Sequence, residues 1–299
     1  MRVVSLIPSA TEIVAALGRE SLLAGRSHEC DFPASVGAVP ALTASRIPEG
    51  LSSAGIDDEV RKGAREGGPL YRIDRDALAA ARPDVIITQE LCEVCAVSLD
   101  EVQEIADALP GDPRVLSLGP QTLDGVLASI EVVGAVIGAA DEARQLAGAL
   151  RSRVERVRAA VVDLPMVRVV SLEWLDPPYS AGHWVPDQVG AAGGVEVIGR
   201  RGRQSRRIKV ADVLAAGPEA ILVIPCGFDL SQAAAEWRRA AGALVAMPAA
   251  RGGRVLVADA SSCFSRPGPR LVDGVEALAA ALHPEAGLPE ASGVVQALA

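Results

Sequence analysis

With 299 residues, 49% of them apolar, the chain is long enough for one large domain or two lobes with a substantial core. A net charge of -9 excludes a sequence-independent nucleic-acid binder, which needs a basic face. The apolar runs are short and interrupted by charge, so no membrane span is expected.

Met1-Arg2 leads directly into Val3-Val4-Ser5-Leu6-Ile7, without the basic segment, long apolar stretch and cleavage site of a secretory leader, which predicts a cytoplasmic protein. Residues 2–7 read as a buried strand. Ser9 and Glu12 have the capping-box spacing of a helix that Gly18 would end. A second strand is expected at 22–25, followed by Ser27-His28-Glu29-Cys30-Asp31-Phe32-Pro33. Residues 40–71 are rich in Gly, Ser and Pro and read as a long excursion with one short helical pattern at 57–65. Next come a helix at 75–81, a strand at 84–88 and the loop Cys92-Glu93-Val94-Cys95. A helix at 98–109, capped by Ser98 with Glu101, and a strand at 114–118 follow. From 123 to 162 the pattern stays helical, as one long helix or two joined near Gly138 to Asp141.

After Pro165 the chain starts over. Arg168-Val169-Val170-Ser171-Leu172 repeats Arg2-Val3-Val4-Ser5-Leu6, the segment 215–223 echoes 80–88, and Arg254-Val255-Leu256 echoes Arg114-Val115-Leu116. Three echoes in one order predict two similar α/β lobes. The expected organisation is an N-terminal lobe at 1–120, a helical connector at 121–164, a C-terminal lobe at 165–283 and a loosely packed tail at 284–299.

All five cysteines (Cys30, Cys92, Cys95, Cys226 and Cys263) fall just beyond the C-terminal end of an expected strand, where open α/β sheets bind ligands. An odd count in a chain of this size does not suggest a disulfide framework. Cys92 and Cys95 precede a helix start, which favours the thiolate. His28 with Cys30, and Trp174 with His183, follow strands in the same way. The metal candidates are Cys92, Cys95, His28 and Cys30. Cys226, between Pro225 and Gly227, reads as structural, His283 as surface and Trp237 as core. The run Arg200-Arg201-Gly202-Arg203-Gln204-Ser205-Arg206-Arg207 reads as a solvated loop, with contact to an anionic group as the rival reading. Glu90 and Glu93 flank the thiols without a separation that supports a paired-carboxylate hydrolase. No Walker, Rossmann-glycine or nucleophile-elbow motif is present.

Ser-Leu-Ile-Pro-Ser-Ala-Thr-Glu (5–12), Ala-Arg-Pro-Asp-Val-Ile-Ile (81–87), the connector and the repeat resemble the cobalamin- and iron-siderophore-binding proteins of ABC importers. A leaderless branch described as cobalamin-binding proteins is resembled through Ser-His-Glu-Cys-Asp-Phe-Pro (27–33), Leu-Cys-Glu-Val-Cys-Ala-Val (91–97) and Glu-Trp-Leu-Asp-Pro-Pro (173–178). Gly-His-Trp-Val-Pro (182–186), Cys-Gly-Phe-Asp (226–229) and Phe-Ser-Arg-Pro-Gly-Pro-Arg-Leu-Val-Asp-Gly (264–274) complete the match. The resemblance implies an α/β fold: two Rossmann-like lobes with central β-sheets, joined by a long backbone helix, with the ligand in a cleft between them.

Trp174 falls on an aromatic position of the exported relatives and Arg266 on their arginine, while Cys263 and Glu29 stand where aromatics are expected. The residues that the resemblance implies at the ligand are Ser9, His28, Glu29, Cys30, Cys92, Cys95, Trp174, His183, Trp184, Cys263, Phe264 and Arg266. Asp76 occupies the first importer-docking carboxylate position and Ala211, beside Asp212, the second. Location and residues both argue against docking to an importer permease. The leading expectation is a non-catalytic protein that binds a metal-bearing small molecule, cobalamin or another corrinoid. A soft transition metal or an iron–sulfur centre held by cleft Cys and His is the first rival. A dithiol redox protein using Cys92 and Cys95 is the second.

Overall fold

The structure is a computed structural model that describes residues 1–48, 50–66, 70–90, 97–289 and 293–298. The chain divides into two compact units, residues 1–51, 55–120 and 127–148 in the first, and residues 52–54, 121–126 and 149–299 in the second. Among the described residues no helix is long and apolar enough to cross a membrane.

The first half of the chain runs β1 (Val3–Ser5), α1 (Pro8–Ala16), β2 (Leu23–Arg26), β3 (Thr43–Ser45), α2 (Ser53–Glu66), β4 (Tyr71–Ile73) and α3 (Arg75–Ala81). It continues through β5 (Val85–Gln89), α4 (Leu99–Ala108), β6 (Arg114–Leu118), α5 (Leu123–Val136) and α6 (Ala140–Val161). In the first unit a four-stranded parallel sheet has the order β2-β1-β5-β6. Its short apolar strands bury Val4, Leu6 and Ile86 against Leu78, Val102 and Ile105 from the flanking helices. Ser98 caps α4 as expected, its Oγ accepting from the Glu101 N–H at 3.2 Å.

The remainder holds β7 (Val167–Leu175), β8 (Pro178–Ser180), α7 (Val185–Ala191), β9 (Gly194–Glu196), β10 (Arg206–Arg207) and α8 (Val210–Ala216). After it come β11 (Ala220–Val223), α9 (Leu230–Ala240), α10 (Pro248–Arg251), β12 (Val255–Ala258), α11 (Ala260–Cys263), α12 (Leu271–Leu282) and β13 (Val295–Leu298). The second unit's seven-stranded sheet has the order β10-β8-β7-β11-β12-β13, with β9 also paired to β7. Trp237, Leu244 and Met247 pack with Val170, Ile221 and Val257 in its core, Trp237 as expected.

The internal repeat is in register. Val3, Val4 and Ser5 of β1 face Val85, Ile86 and Ile87 of β5, and the echoing Val169, Val170 and Ser171 of β7 face Ala220, Ile221 and Leu222 of β11. Even the clasp at the strand start recurs. The Arg2 N–H donates to Asp84 Oδ2 at 2.6 Å and the Arg168 N–H to Glu219 Oε2 at 2.8 Å, while each guanidinium reaches a carbonyl at a helix end, Ala81 O and Ala216 O. The helix stop between them is left-handed in both copies, at Gly217 (φ 54) and at Arg82 (φ 43). A side chain pays for that conformation and glycine does not. Arg82→Gly is therefore expected to raise stability by about 0.5–1 kcal/mol, read from urea midpoints, since the freer unfolded chain offsets part of the relief.

Several expectations are corrected. Ser9 does not cap α1: Ile7 is the N-cap, Pro8 opens the helix and Ser9 lies buried inside it. Proline has helical φ and no N–H to satisfy, so it starts the helix ahead of serine. The two ends of the 40–71 stretch are tied back rather than looped out, because β3 pairs antiparallel with β4 and Leu42 is buried in the core. For the helical stretch 123–162 the two-helix alternative holds, with α5 and α6 parted at Gly138 with φ 73 as the sequence allowed. Residues 295–298 are no loose tail, since β13 pairs antiparallel with the otherwise open edge of β12. His283 is 1% exposed, not surface. Its Nε2 lies 3.1 Å from Gly193 O, and a Cβ at Gly193 would stand 2.5 Å from that nitrogen, so the absent side chain makes the ring's slot.

Candidate functional site

In each unit the unusual side chains gather where the parallel strands end. Beyond β2 of the first unit, one buried hydroxyl organises the turn. Thr43 Oγ1 accepts from the His28 backbone N–H at 3.0 Å, lies 2.7 Å from His28 Nδ1 and donates to Ser27 Oγ at 3.2 Å. If the His28 Nδ1–H donates to Thr43 Oγ1, the lone pair falls on Nε2. That Nε2 has no hydrogen-bond partner among the described residues, and the Oε1 of exposed Glu29 stands 3.6 Å from it. Tyr71 flanks the ring, its centroid 5.6 Å away. Cys30 is 2% exposed, with Thr11 Oγ1 donating to its Sγ at 3.0 Å. Ser9 is buried in the neighbouring helix.

In the second unit Trp174 lies within β7 rather than beyond it, because the strand runs on to Leu175 and turns back into β8. Its ring is half-buried, donates from Nε1 to Ser53 O at 3.1 Å and meets Phe228 edge-on at 5.5 Å. Ser53 is itself held by buried Glu236, which pairs with Arg239. Trp184 and Phe264 are buried. The Trp184 Nε1–H donates to Phe264 O at 2.7 Å, and Gln188 Nε2 donates to Cys263 O and Leu271 O at 2.9 Å each. Together they hold the backbone that leads from buried Cys263 to half-buried Arg266. Trp184→Phe keeps most of the ring but strands a carbonyl. It is expected to cost about 1–2 kcal/mol, measured by urea unfolding.

His183 takes a left-handed φ of 49. The conformation is held by its N–H donating to Arg203 O at 2.6 Å and by its carbonyl accepting from the Gly202 N–H at 2.9 Å. Its Nε2 also lacks a hydrogen-bond partner among the described residues. Burial pushes both imidazoles below their ordinary 6.5; for His28 Glu29 opposes this and Arg26 adds to it. Both are neutral near pH 7. The unfolded chain takes up these protons first as pH falls, so this stability is complete above about pH 6.5 and is lost as pH drops through the lower folded values. Urea midpoints at about pH 7.5 and about pH 5.5 should show the decline, and a His28→Gln, His183→Gln double variant should flatten it.

Cys226, expected as packing, is exposed: the turn at Pro225 and Gly227 (φ 79) carries it past the strand end. Cys92, Glu93 and Cys95 lie outside the described residues. Among the described residues no group of three or more His, Cys, Asp or Glu side chains is placed to hold a metal ion. Three neighbours of the candidate residues went unread in the sequence. Thr43 and Tyr71 sit in the Gly- and Pro-rich stretch, where nothing local shows that β3 and β4 bring them to His28. Phe228 lies in the Cys-Gly-Phe-Asp motif, which was a usable signal.

The sequence profile of a family described as "Periplasmic binding protein" matches residues 3–261. No curated protein matches the chain. Among solved structures, a periplasmic heme binding protein from Pseudomonas aeruginosa is 23% identical with a TM-score of 0.75, the alignment covering 100% of this chain and 98% of that one. The periplasmic vitamin B12 binding protein of Vibrio cholerae is 20% identical with a TM-score of 0.70, covering 96% and 97%. An ABC-type Fe3+-hydroxamate transport system protein from Saccharomonospora viridis is 21% identical with a TM-score of 0.67, covering 94% and 92%. At these identities the likeness concerns the fold.

Proposed function

Because the chain belongs to the periplasmic binding protein family, we propose that it is a non-catalytic binding protein for a metal-bearing macrocycle, specifically a corrinoid. The loops beyond its parallel strands take up the ligand. The observation that carries this reading is His28, a neutral imidazole whose Nδ1 lies 2.7 Å from Thr43 Oγ1 and whose Nε2 has no hydrogen-bond partner among the described residues. That is the state in which histidine ligates a metal, and the anchor on the second nitrogen orients the ring. The exposed Glu29 carboxylate, 3.6 Å from Nε2, borders the site. Two of the similar solved structures are named for heme and vitamin B12, ligands that each present a metal at the centre of a macrocycle. The second unit offers recognition chemistry of its own in the half-buried rings of Trp174 and Phe228 and the cation of Arg266.

The test is a visible-absorption titration of the purified chain with hydroxocobalamin, with hemin and a ferric hydroxamate in parallel. A saturable shift of the cobalt bands, lost in His28→Ala, is the expected result. No shift with any corrinoid, oxidised or reduced, overturns the corrinoid reading, and a response to hemin alone moves it to heme. Metal in anaerobically isolated protein without any macrocycle would instead support a soft metal or iron–sulfur centre.

A further inference from the structure

The connection from β9 to α8 carries six cations within ten residues: Arg200, Arg201, Arg203, Arg206, Arg207 and Lys209, in a chain whose net charge is -9. All six are exposed. Arg201 pairs with Asp187, while the other four arginines make no side-chain hydrogen bond or ion pair among the described residues. Of the nearby carboxylates, Glu173 accepts from Ser205 Oγ, Glu196 accepts the backbone N–H groups of Ser171, Ile198 and Gly199, and exposed Asp124 acts on Arg201, which already pairs with Asp187.

The loop is held in place. Arg206 and Arg207 pair with Ser180 and Tyr179 of β8, the Ile208 N–H donates to Pro178 O at 2.9 Å, and Arg203 O accepts from the His183 N–H. Gly182 lets the loop lie against it, since a Cβ there would overlap the backbone atoms Arg203 O and Ser205 N. Charges on the edge strand β10 also discourage strand addition, which accounts for Arg206 and Arg207 but not for Arg200 and Arg203 in the turn.

We propose that this loop is a docking surface for an acidic segment of a partner protein. Guanidinium forks held on a fixed backbone match carboxylates in bidentate pairs and lose little freedom on binding. Screening confines the attraction to about 8 Å, so a compact carboxylate cluster meets only the arginines. A nucleic acid or an anionic membrane extends beyond the patch and meets the net negative remainder of the chain. The proposal is independent of the ligand that the strand-end loops take.

The experiment is fluorescence anisotropy of a labelled oligoglutamate peptide with the full chain at low and near-physiological salt. Binding that weakens with salt is expected, and Arg203→Ser, Arg206→Ser and Arg207→Ser together should weaken it about tenfold. Removing as many exposed charges elsewhere, by Lys62→Ser, Arg72→Ser and Arg238→Ser, should leave it unchanged. Unfolding midpoints of all variants are measured alongside; if the triple variant does not fold, Arg203→Ser alone in the turn carries the test with a smaller loss. Equal binding by wild type and loop variant overturns the proposal. So does tighter binding of a single-stranded oligonucleotide or of phosphatidylglycerol vesicles, or low-salt self-association that the loop variant lacks.

Discussion

Gly274→Ala is expected to destabilise the second unit by about 2 kcal/mol, although alanine in a helix interior normally gains about 1 kcal/mol over glycine. Gly274 lies in α12, and a Cβ there would stand 2.5 Å from Cys263 O, 3.1 Å from Gln188 Nε2 and 3.2 Å from Cys263 Cβ. The first of these is backbone, so no side-chain rotation relieves it. Either α12 or α11 must move, and movement opens the bonds from Gln188 to Cys263 O and from Trp184 to Phe264 O, all among buried groups. Stranding such groups adds to the steric cost. Thermal and urea midpoints measure the effect. A midpoint equal to or above wild type would show that α11 yields without losing its hydrogen bonds.

Thr43→Val is expected to weaken binding of the proposed metal-bearing ligand by about 10- to 100-fold. Valine keeps the shape and the burial, but the hydroxyl beside His28 Nδ1 disappears, and with it the acceptor of the His28 backbone N–H. The ring is then free to turn and to exchange tautomers, so Nε2 no longer presents a fixed lone pair. The same hydroxocobalamin titration reads the change, beside His28→Ala, which removes the metal contact outright. If Thr43→Val binds like wild type while His28→Ala does not, the anchor is dispensable. If both bind like wild type, His28 is not the metal's partner.

Much of the fold was legible because the strands are short apolar runs and their local pattern is self-sufficient. The strand at 114–118 and the helix at 75–81 coincide with β6 and α3, and the echo of 2–6 in 168–172 correctly identified β1 and β7 as equivalent strands of the repeat, next to β5 and β11. The errors at Ser9 and Cys226 were local, set by Pro8 and by the turn at Gly227, but two others depended on a partner distant in the chain. His283 read as surface because its burial needs Gly193, and 295–298 read as tail because its pairing needs β12. The candidate site divides the same way. His28 and Trp174 were visible as unusual side chains just past or at the end of apolar strands, whereas the condition of His28 was invisible without Thr43 and Tyr71.

By itself, then, the amino-acid order determined the twin α/β units, because short apolar runs and capped helices encode their geometry within a few residues, and its motifs carried the resemblance to the family. Only the tertiary structure decided which polar atoms are satisfied and which are left over. That distinction rests on contacts between residues far apart in the chain, such as Trp184 with Phe264 and His28 with Thr43, and the energies of hydrogen bonding and burial act through space with no signature in local periodicity.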